Sequence, residues 1–417
     1  MHTTPRRILF WLHLTAGVIA GTIIFFLAVT GACLAYERQM ISHADRRYQI
    51  AQTSGERHAI ADMITTAQAY VHAPASVVAI HSDPSAPVEV SVGREPAKIF
   101  LLNPYSGVVL GESAPHLRAF FTQVTALHRW FGMQGQNRTT ARAIKGAFTL
   151  SMLFLVCSGV ILWLPRKWTR QHISKSLLLR RNLQGRARDW NWHNVIGIWL
   201  ALPLSFIALT GVIMAYPWAN DLLYHITGNT PPPRQTENPA RDQLLNRKLG
   251  EEHPHTPKVG TNFDALVATA GEQVPGWRTI ALRLQSPGAN TITLQIDRGD
   301  GGRPDLRSQI TLDNMSGRIL HTETFSSYNR GRQMRLWARF THTGEAGGII
   351  GEAMAGLTSL GAAVLAWTGL SLALRRLLFS RKRKFSRNAL TGVVFTAQGM
   401  AASDETLISQ RSSQKIV

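Results

Sequence analysis

Four of the fifteen histidines in this 417-residue chain stand where apolar surroundings make an ionisable group expensive. His13 lies inside the first long apolar run and His193 at the head of the third. His128 and His342 come just before the second and fourth. The arrangement yields two pairs, His13 with His193 and His128 with His342, at two depths of a helical bundle. Neutral imidazole is the commonest metal ligand. Two histidines from facing helices can ligate haem iron from above and below, which leaves an electron carrier with no open position for oxygen chemistry. Zinc or copper would want further Cys, His or carboxylate ligands nearby. Cys33 lies about 30 Å along its helix from His13, and Cys157 is expected near the leaflet opposite His128. A hydrogen bond from a membrane histidine to a neighbouring helix is the simpler role that ligation competes with.

The runs that must position these residues are Ile8 to Tyr36, Ala147 to Leu164, Val195 to Tyr216 and Gly347 to Leu374. A bilayer-spanning helix needs about 20 apolar residues. The Gly31-Ala32-Cys33 triplet hints at a lipoprotein cleavage box, but the first run is too long for a signal-peptide core. The formal charge of +20 and mean hydropathy of −0.04 are an average over apolar and polar segments. The basic residues segregate. Arg6 and Arg7, the cluster Arg166 to Arg188, and the cluster Arg375 to Arg387 all fall on one side of an even-numbered bundle. That side is expected to be cytoplasmic, with both termini inside and the localisation a bacterial inner membrane. No nucleic-acid motif accompanies the charge. Neither polar domain contains cysteine, so no disulfide framework is available.

The first and third runs align without a gap at an offset of 180: His13 with His193, Gly17 with Gly197, Thr30-Gly31 with Thr210-Gly211, Ala35-Tyr36 with Ala215-Tyr216. Ser158-Gly159 and Thr368-Gly369 sit near corresponding ends of the second and fourth. The polar segments repeat as well. Each offers a helix (Ala61 to Val71; Phe263 to Gln273) and alternating strands (Val77 to His81 and Val88 to Val92; Ile280 to Leu284 and Thr291 to Ile296). Each ends in a strand, a polar turn closing on Ser-Gly, and a further strand, at Ile99 to Leu110 and Ile310 to Leu320. The whole reads as two copies of helix, external domain, histidine, helix.

Gly17 and Gly197 lie four residues after their histidines, on the same helix face, where a flat ring could approach the backbone. Gly31 and Gly211 lie five full turns on, about 27 Å along the axis, where a second ring would sit. Close helix packing is the other use for such small residues. Arg129 and Arg339, beside the second histidine pair, suit carboxylates such as haem propionates. Solvation by headgroups is their simpler role.

Together, Trp11-Leu-His13 with Thr30-Gly31, Leu127-His128-Arg129, Trp192-His193 with Thr210-Gly211, His342-Thr343-Gly344-Glu345 and the two Ser-Gly turns resemble the PepSY-associated transmembrane family over residues 6 to 378. The expected fold class is a membrane α-helical bundle of four transmembrane helices with two periplasmic α+β PepSY-like domains, arisen by internal duplication. The expected division is transmembrane helices at 6–36 and 192–216, PepSY-like domains at 37–125 and 217–338, histidine-bearing segments with transmembrane helices at 126–165 and 339–378, a basic cytoplasmic loop at 166–191 and a disordered tail at 379–417. For some members the resemblance implies a di-haem b reductase that releases iron from ferric siderophores. The implied cofactors are two haem b groups on His13/His193 and His128/His342. The implied partners are a ferric siderophore or other ferric chelate, the lipid bilayer, and an unidentified electron donor, either a cytoplasmic reductase or a quinol. The chain carries no Gly-rich dinucleotide fingerprint. Non-redox readings compete: an accessory protein whose PepSY domains bind a peptide or regulate a protease, or a scaffold or transporter component. The basic cytoplasmic loop has two uses, the topology signal and a docking surface for an acidic partner.

Overall fold

A computed structural model describes residues 5–51, 53, 55–93, 97–164, 177–233, 262–284 and 290–377. The expected disordered tail and much of the basic loop lie outside these. Helices α1 (Pro5–Leu34), α5 (Asn137–Trp163), α6 (Gly185–Ala215) and α10 (Glu345–Leu377) are long and apolar enough to cross a membrane. α5 starts ten residues before the apolar run does: Arg138, Ala141, Arg142, Ala143 and Lys145 are good helix formers that hydropathy alone passes over. The shorter helices are α2 (Glu37–Asp45), α3 (Ile60–Val71), α4 (Pro115–Trp130), α7 (Pro217–Ile226), α8 (Phe263–Gln273) and α9 (Arg330–Thr343).

The eight strands are β1 (Ala75–His81), β2 (Val88–Val92), β3 (Lys98–Leu102), β4 (Val109–Glu112), β5 (Thr279–Arg283), β6 (Thr291–Asp297), β7 (Arg307–Asp313) and β8 (Ile319–Thr324). They corrected one expectation. The strands assigned to two separate domains form one antiparallel sheet, in the order β4-β3-β2-β1-β5-β6-β7-β8. β1 pairs with β5 with Ala79 opposite Ala281, Val78 opposite Leu282 and Ile80 opposite Ile280. Each of these two strands would otherwise be the edge of a four-stranded sheet. Pairing them satisfies backbone groups that an exposed edge leaves open. Alternation along the strands sends Val78, Val90, Ile280, Leu282, Leu294, Ile310 and Leu312 to one buried face. α3 and α8 cover that face through Ile60, Met63, Ile64, Ala67, Phe263, Leu266 and Ala270. The two helices also meet: the Ile60 backbone N–H donates to the Asp264 carboxylate at 3.2 Å, so a residue of α8 caps α3.

The two Ser-Gly turns are built alike. Asn103 Oδ1 accepts from the backbone N–H groups of Tyr105 (2.9 Å) and Ser106 (3.3 Å). Asp313 Oδ1 accepts from Met315 (3.2 Å) and Ser316 (2.8 Å). The side-chain oxygen holds the tight turn, and the closing residue must then enter the left-handed region. Gly107 (φ 69°) and Gly317 (φ 68°) do so without a Cβ penalty.

The chain divides into two compact units. One draws on Met1–Thr22, Ser158–Trp199 and Val364–Val417; the other on Ile23–Cys157 and Leu200–Ala363. In the first, Arg6 in the opening turn of α1 donates to the Leu164 carbonyl at 2.9 Å and to Leu162, placing a cation where α5 leaves its last carbonyls unpaired. The second holds the whole sheet together with α2, α3, α4, α7, α8 and α9. There Arg38 of α2 pairs with the buried Glu352 of α10 at 3.0 Å.

Candidate functional site

The division into units sorts the four histidines two and two. His13 and His193 fall in the first unit, and His193 lies within electrostatic range of His13. His128 and His342 fall in the second, and His128 lies within range of His342. His13 and His193 project from the spanning helices α1 and α6. His128 and His342 do not belong to the spans they precede. They sit in the last turns of the separate helices α4 and α9. α4 stops at Phe131 and Gly132, both at positive φ, and α9 at Gly344 (φ 81°). Each break lets the chain turn before the next span begins.

Each histidine makes the same kind of contact through Nδ1, always within its own unit. His13 Nδ1 lies 2.8 Å from Ser158 Oγ. His128 Nδ1 lies 2.8 Å from Thr30 Oγ1. His193 Nδ1 is 3.1 Å from both Thr368 Oγ1 and the Leu365 carbonyl. His342 Nδ1 is 3.1 Å from Thr210 Oγ1 and 3.0 Å from the Ile207 carbonyl. A carbonyl only accepts, so Nδ1 of His193 and His342 carries the proton. Thr30 donates its own hydroxyl to the Phe26 carbonyl at 2.9 Å and therefore accepts from His128. With the proton on Nδ1, Nε2 presents a lone pair, the state a metal ligand requires.

A glycine follows each of these hydroxyl residues, and the imidazole edge lies against it. A Cβ at Gly31 would come 3.4 Å from His128 Cε1, at Gly159 3.5 Å from His13, at Gly211 3.3 Å from His342 and at Gly369 3.1 Å from His193. The recurring Ser/Thr-Gly dipeptide thus orients a ring with its hydroxyl and sets its glycine against the ring edge, tightly enough at Gly211 and Gly369 that a Cβ would crowd it. The sequence signal was present in Thr30-Gly31, Thr210-Gly211, Ser158-Gly159 and Thr368-Gly369. Gly31 and Gly211 receive histidine edges. Gly197 meets the Leu365 side chain at ordinary contact distance, 3.6 Å, and Gly17 is half-buried on α1.

The two pairs differ in their electrostatic surroundings. Lys145 lies within range of both His128 and His342, and Arg129 within range of His128. Arg129 itself is lowered from its ordinary value by burial and by the guanidinium groups of Arg339, Arg142 and Arg138. Arg129 and Arg138 both lie over the Trp130 ring, at 4.4 and 4.6 Å from its centroid, and Arg339 lies over Phe340 at 5.1 Å. The expected Arg129 and Arg339 are therefore joined by three cations that were not singled out. On the other pair the notable charge is an acid. Asp189, one turn before His193, is buried and accepts from Ser371 Oγ at 2.8 Å and Arg188 Nη2 at 3.0 Å, with Arg375 at 3.4 Å.

The donor sets suit a group that brings its own equatorial ligands. Among the described residues no cluster of three or more His, Cys, Asp or Glu forms at either pair. Two imidazoles, each held in orientation through Nδ1, are what axial ligation of haem needs from a protein.

A family model described as the PepSY-associated TM region matches residues 10–376. A search of the curated proteins finds no match.

Proposed function

We propose that this chain, which belongs to the PepSY-associated TM region family, is a haem-b-containing electron-transfer protein of the bacterial inner membrane that reduces a ferric chelate. The observation that carries this reading is the fourfold recurrence of a histidine whose Nδ1 is engaged by the hydroxyl of a Ser or Thr. We further infer that the two copies of helix, polar segment, histidine and helix arose by duplication, and that both termini are cytoplasmic. On that orientation the basic residues flanking the spans lie inside, and the sheet lies in the periplasm.

Bound haem would supply a one-electron Fe(III)/Fe(II) couple at each pair. The protein's part is to hold it and tune it. His13 and His193 hold one group, His128 and His342 the other. Ser158, Thr30, Thr368 and Thr210 keep the imidazoles in one tautomer. Arg129 and Arg339 take the propionates at the second site. The overall reaction moves one electron from an external donor, a reductase or a quinol, to chelated Fe(III) and yields Fe(II). Oxygen chelators hold Fe(II) less tightly, so the iron is released. No acid–base or nucleophilic side chain is needed.

The test uses protein in liposomes, with reductant confined to the side of the termini. A ferric siderophore and an Fe(II) indicator are placed on the other side. Reduction should require haem and should fail in His128→Ala and His342→Ala. Equal reduction by haem-free protein would remove the reductase reading and favour a non-redox accessory role.

A further inference from the structure

The basic segment before α6 does more than carry charge. Leu177, Leu178 and Leu179 run back along α6, and three hydrogen bonds tie them there. Trp199 Nε1 donates to the Leu177 carbonyl at 3.0 Å, Asn191 Nδ2 donates to the Leu178 carbonyl at 3.2 Å, and the Arg180 backbone N–H donates to Asn191 Oδ1 at 3.0 Å. Asn191 is buried, so its amide serves as a clamp. Trp199 lies eight residues beyond Asn191, about 12 Å along the axis, and its indole leans back toward the helix N-terminus. Three extended residues reach about 10 Å, so this strap rises from apolar depth at Leu177 to the polar end of the helix at Arg180. Leu178, Leu179, Trp192 and Trp199 are exposed, an apolar surface suited to lipid. Beside the strap opens a cavity of about 520 Å³ lined by Arg180, Leu183, Arg186, Ala187, Trp190 and Asn191. Among the described residues, the guanidinium groups of Arg180 and Arg186 form no ion pair. The neighbouring carboxylate, Asp189, is matched by Arg188 and Arg375. The positive-inside rule accounts for basic residues anywhere on this side. It does not account for a strap clamped to the helix, or for a cavity that gathers two arginines around an indole.

We propose that this cavity is a headgroup site for one anionic phospholipid, whose phosphate is held by Arg180 and Arg186 and whose acyl chains lie along the strap of residues 177–179 and Trp199. A guanidinium offers a planar pair of donors that suits a phosphate. An indole such as that of Trp190 favours the boundary between membrane and water. Basic pockets beside spanning helices are where lipid phosphates dock. A free phosphate would use the arginines and leave the strap idle. A zwitterionic lipid would use the strap and bring a cation toward two cations. Only an anionic lipid answers both parts of the site. The inference is independent of the reductase reading and of haem.

The experiment titrates the purified full chain in detergent with phosphatidylglycerol or phosphatidylcholine and counts bound lipid by native mass spectrometry. Phosphatidylglycerol should fill one tight site first, roughly 25-fold more tightly than phosphatidylcholine, since each arginine near a membrane surface favours an anionic lipid about fivefold. Arg180→Gln and Arg186→Gln should each weaken that site about fivefold, and the double variant should bind the two lipids alike. Both side chains are exposed, so the unfolding midpoint in phosphatidylcholine should not move. Arg180→Lys and Arg186→Lys keep the charge and should keep the preference. Arg7→Gln removes an exposed charge from the start of α1 and should leave the tight site unchanged. Equal binding of the two lipids by the parent chain would overturn the proposal. So would an equal loss in Arg7→Gln, which would show that only net charge matters. Displacement of the lipid by millimolar inorganic phosphate would also overturn it, showing a free-anion site.

Discussion

The two histidine pairs share a holding device and differ in their charge environment. In both units a hydroxyl from a Ser/Thr-Gly dipeptide meets Nδ1 and the glycine receives the ring edge. Around His128 and His342 stand Lys145 and Arg129. Among the described residues no cation acts on His13 or His193 in that way, and the nearby Asp189 is matched by Arg188 and Arg375. On the proposed reading, the likeness bears on what each pair would bind and the difference on how it would be tuned. Positive charge near a redox iron favours the reduced state. If both pairs hold haem, the His128/His342 site is therefore expected to have the higher potential.

The largest expected effect comes from filling the space beside one ring. Gly369→Leu should abolish haem binding at the His13/His193 pair and leave the other haem in place. Gly31→Leu should do the reverse. Haem content and the residual absorption spectrum decide, and loss of both groups from either variant would mean that the two sites are not independent. Next comes removal of a hydroxyl. His193 and His342 keep a carbonyl acceptor when their threonine is lost, whereas Ser158 is the hydrogen-bond partner shown for His13. Ser158→Ala should weaken haem retention about tenfold, the lower end for loss of a group that hydrogen-bonds a metal-ligating histidine, and Thr210→Val should do less. A smaller effect tests the difference in charge. Lys145→Gln should lower the upper midpoint potential by roughly 60 mV, a tenfold change for a one-electron couple, and leave the lower one fixed in a potentiometric titration. A shift of both potentials would remove the contrast drawn here. The smallest effect concerns the support. Gly317→Ala should cost about 1–2 kcal/mol, the penalty for a side chain in the left-handed region, visible as a lowered unfolding midpoint with both haems retained.

Much of this arrangement was legible in the residues. The four spans follow from apolar run length. The strand pairs and the Asn103 and Asp313 turns follow from alternation and Ser-Gly chemistry. The four histidines stood out because they repeat at fixed spacing in costly surroundings. What the sequence withheld depends on partners far along the chain. Thr30 and His128 are 98 residues apart, and His193 and Thr368 are 175 apart. Nothing in helix periodicity says which ring a Thr-Gly pair will meet. The joining of β1 to β5 was hidden for the same reason, since either strand reads equally well as an edge. α4 and α9 went unnoticed because their polar faces break the apolar runs, although Gly132 and Gly344 marked where each must end.

The central claim is that four histidines hold two haem groups as the pairs His13/His193 and His128/His342. The most direct measurement is the haem b content per chain, by pyridine haemochrome, of the purified protein and of its four single His→Ala variants. Two equivalents are expected in the parent and one in each variant. His13→Ala and His193→Ala should leave the same residual spectrum, and His128→Ala and His342→Ala should leave the other. A colourless parent, or four variants that all retain full haem, would contradict it.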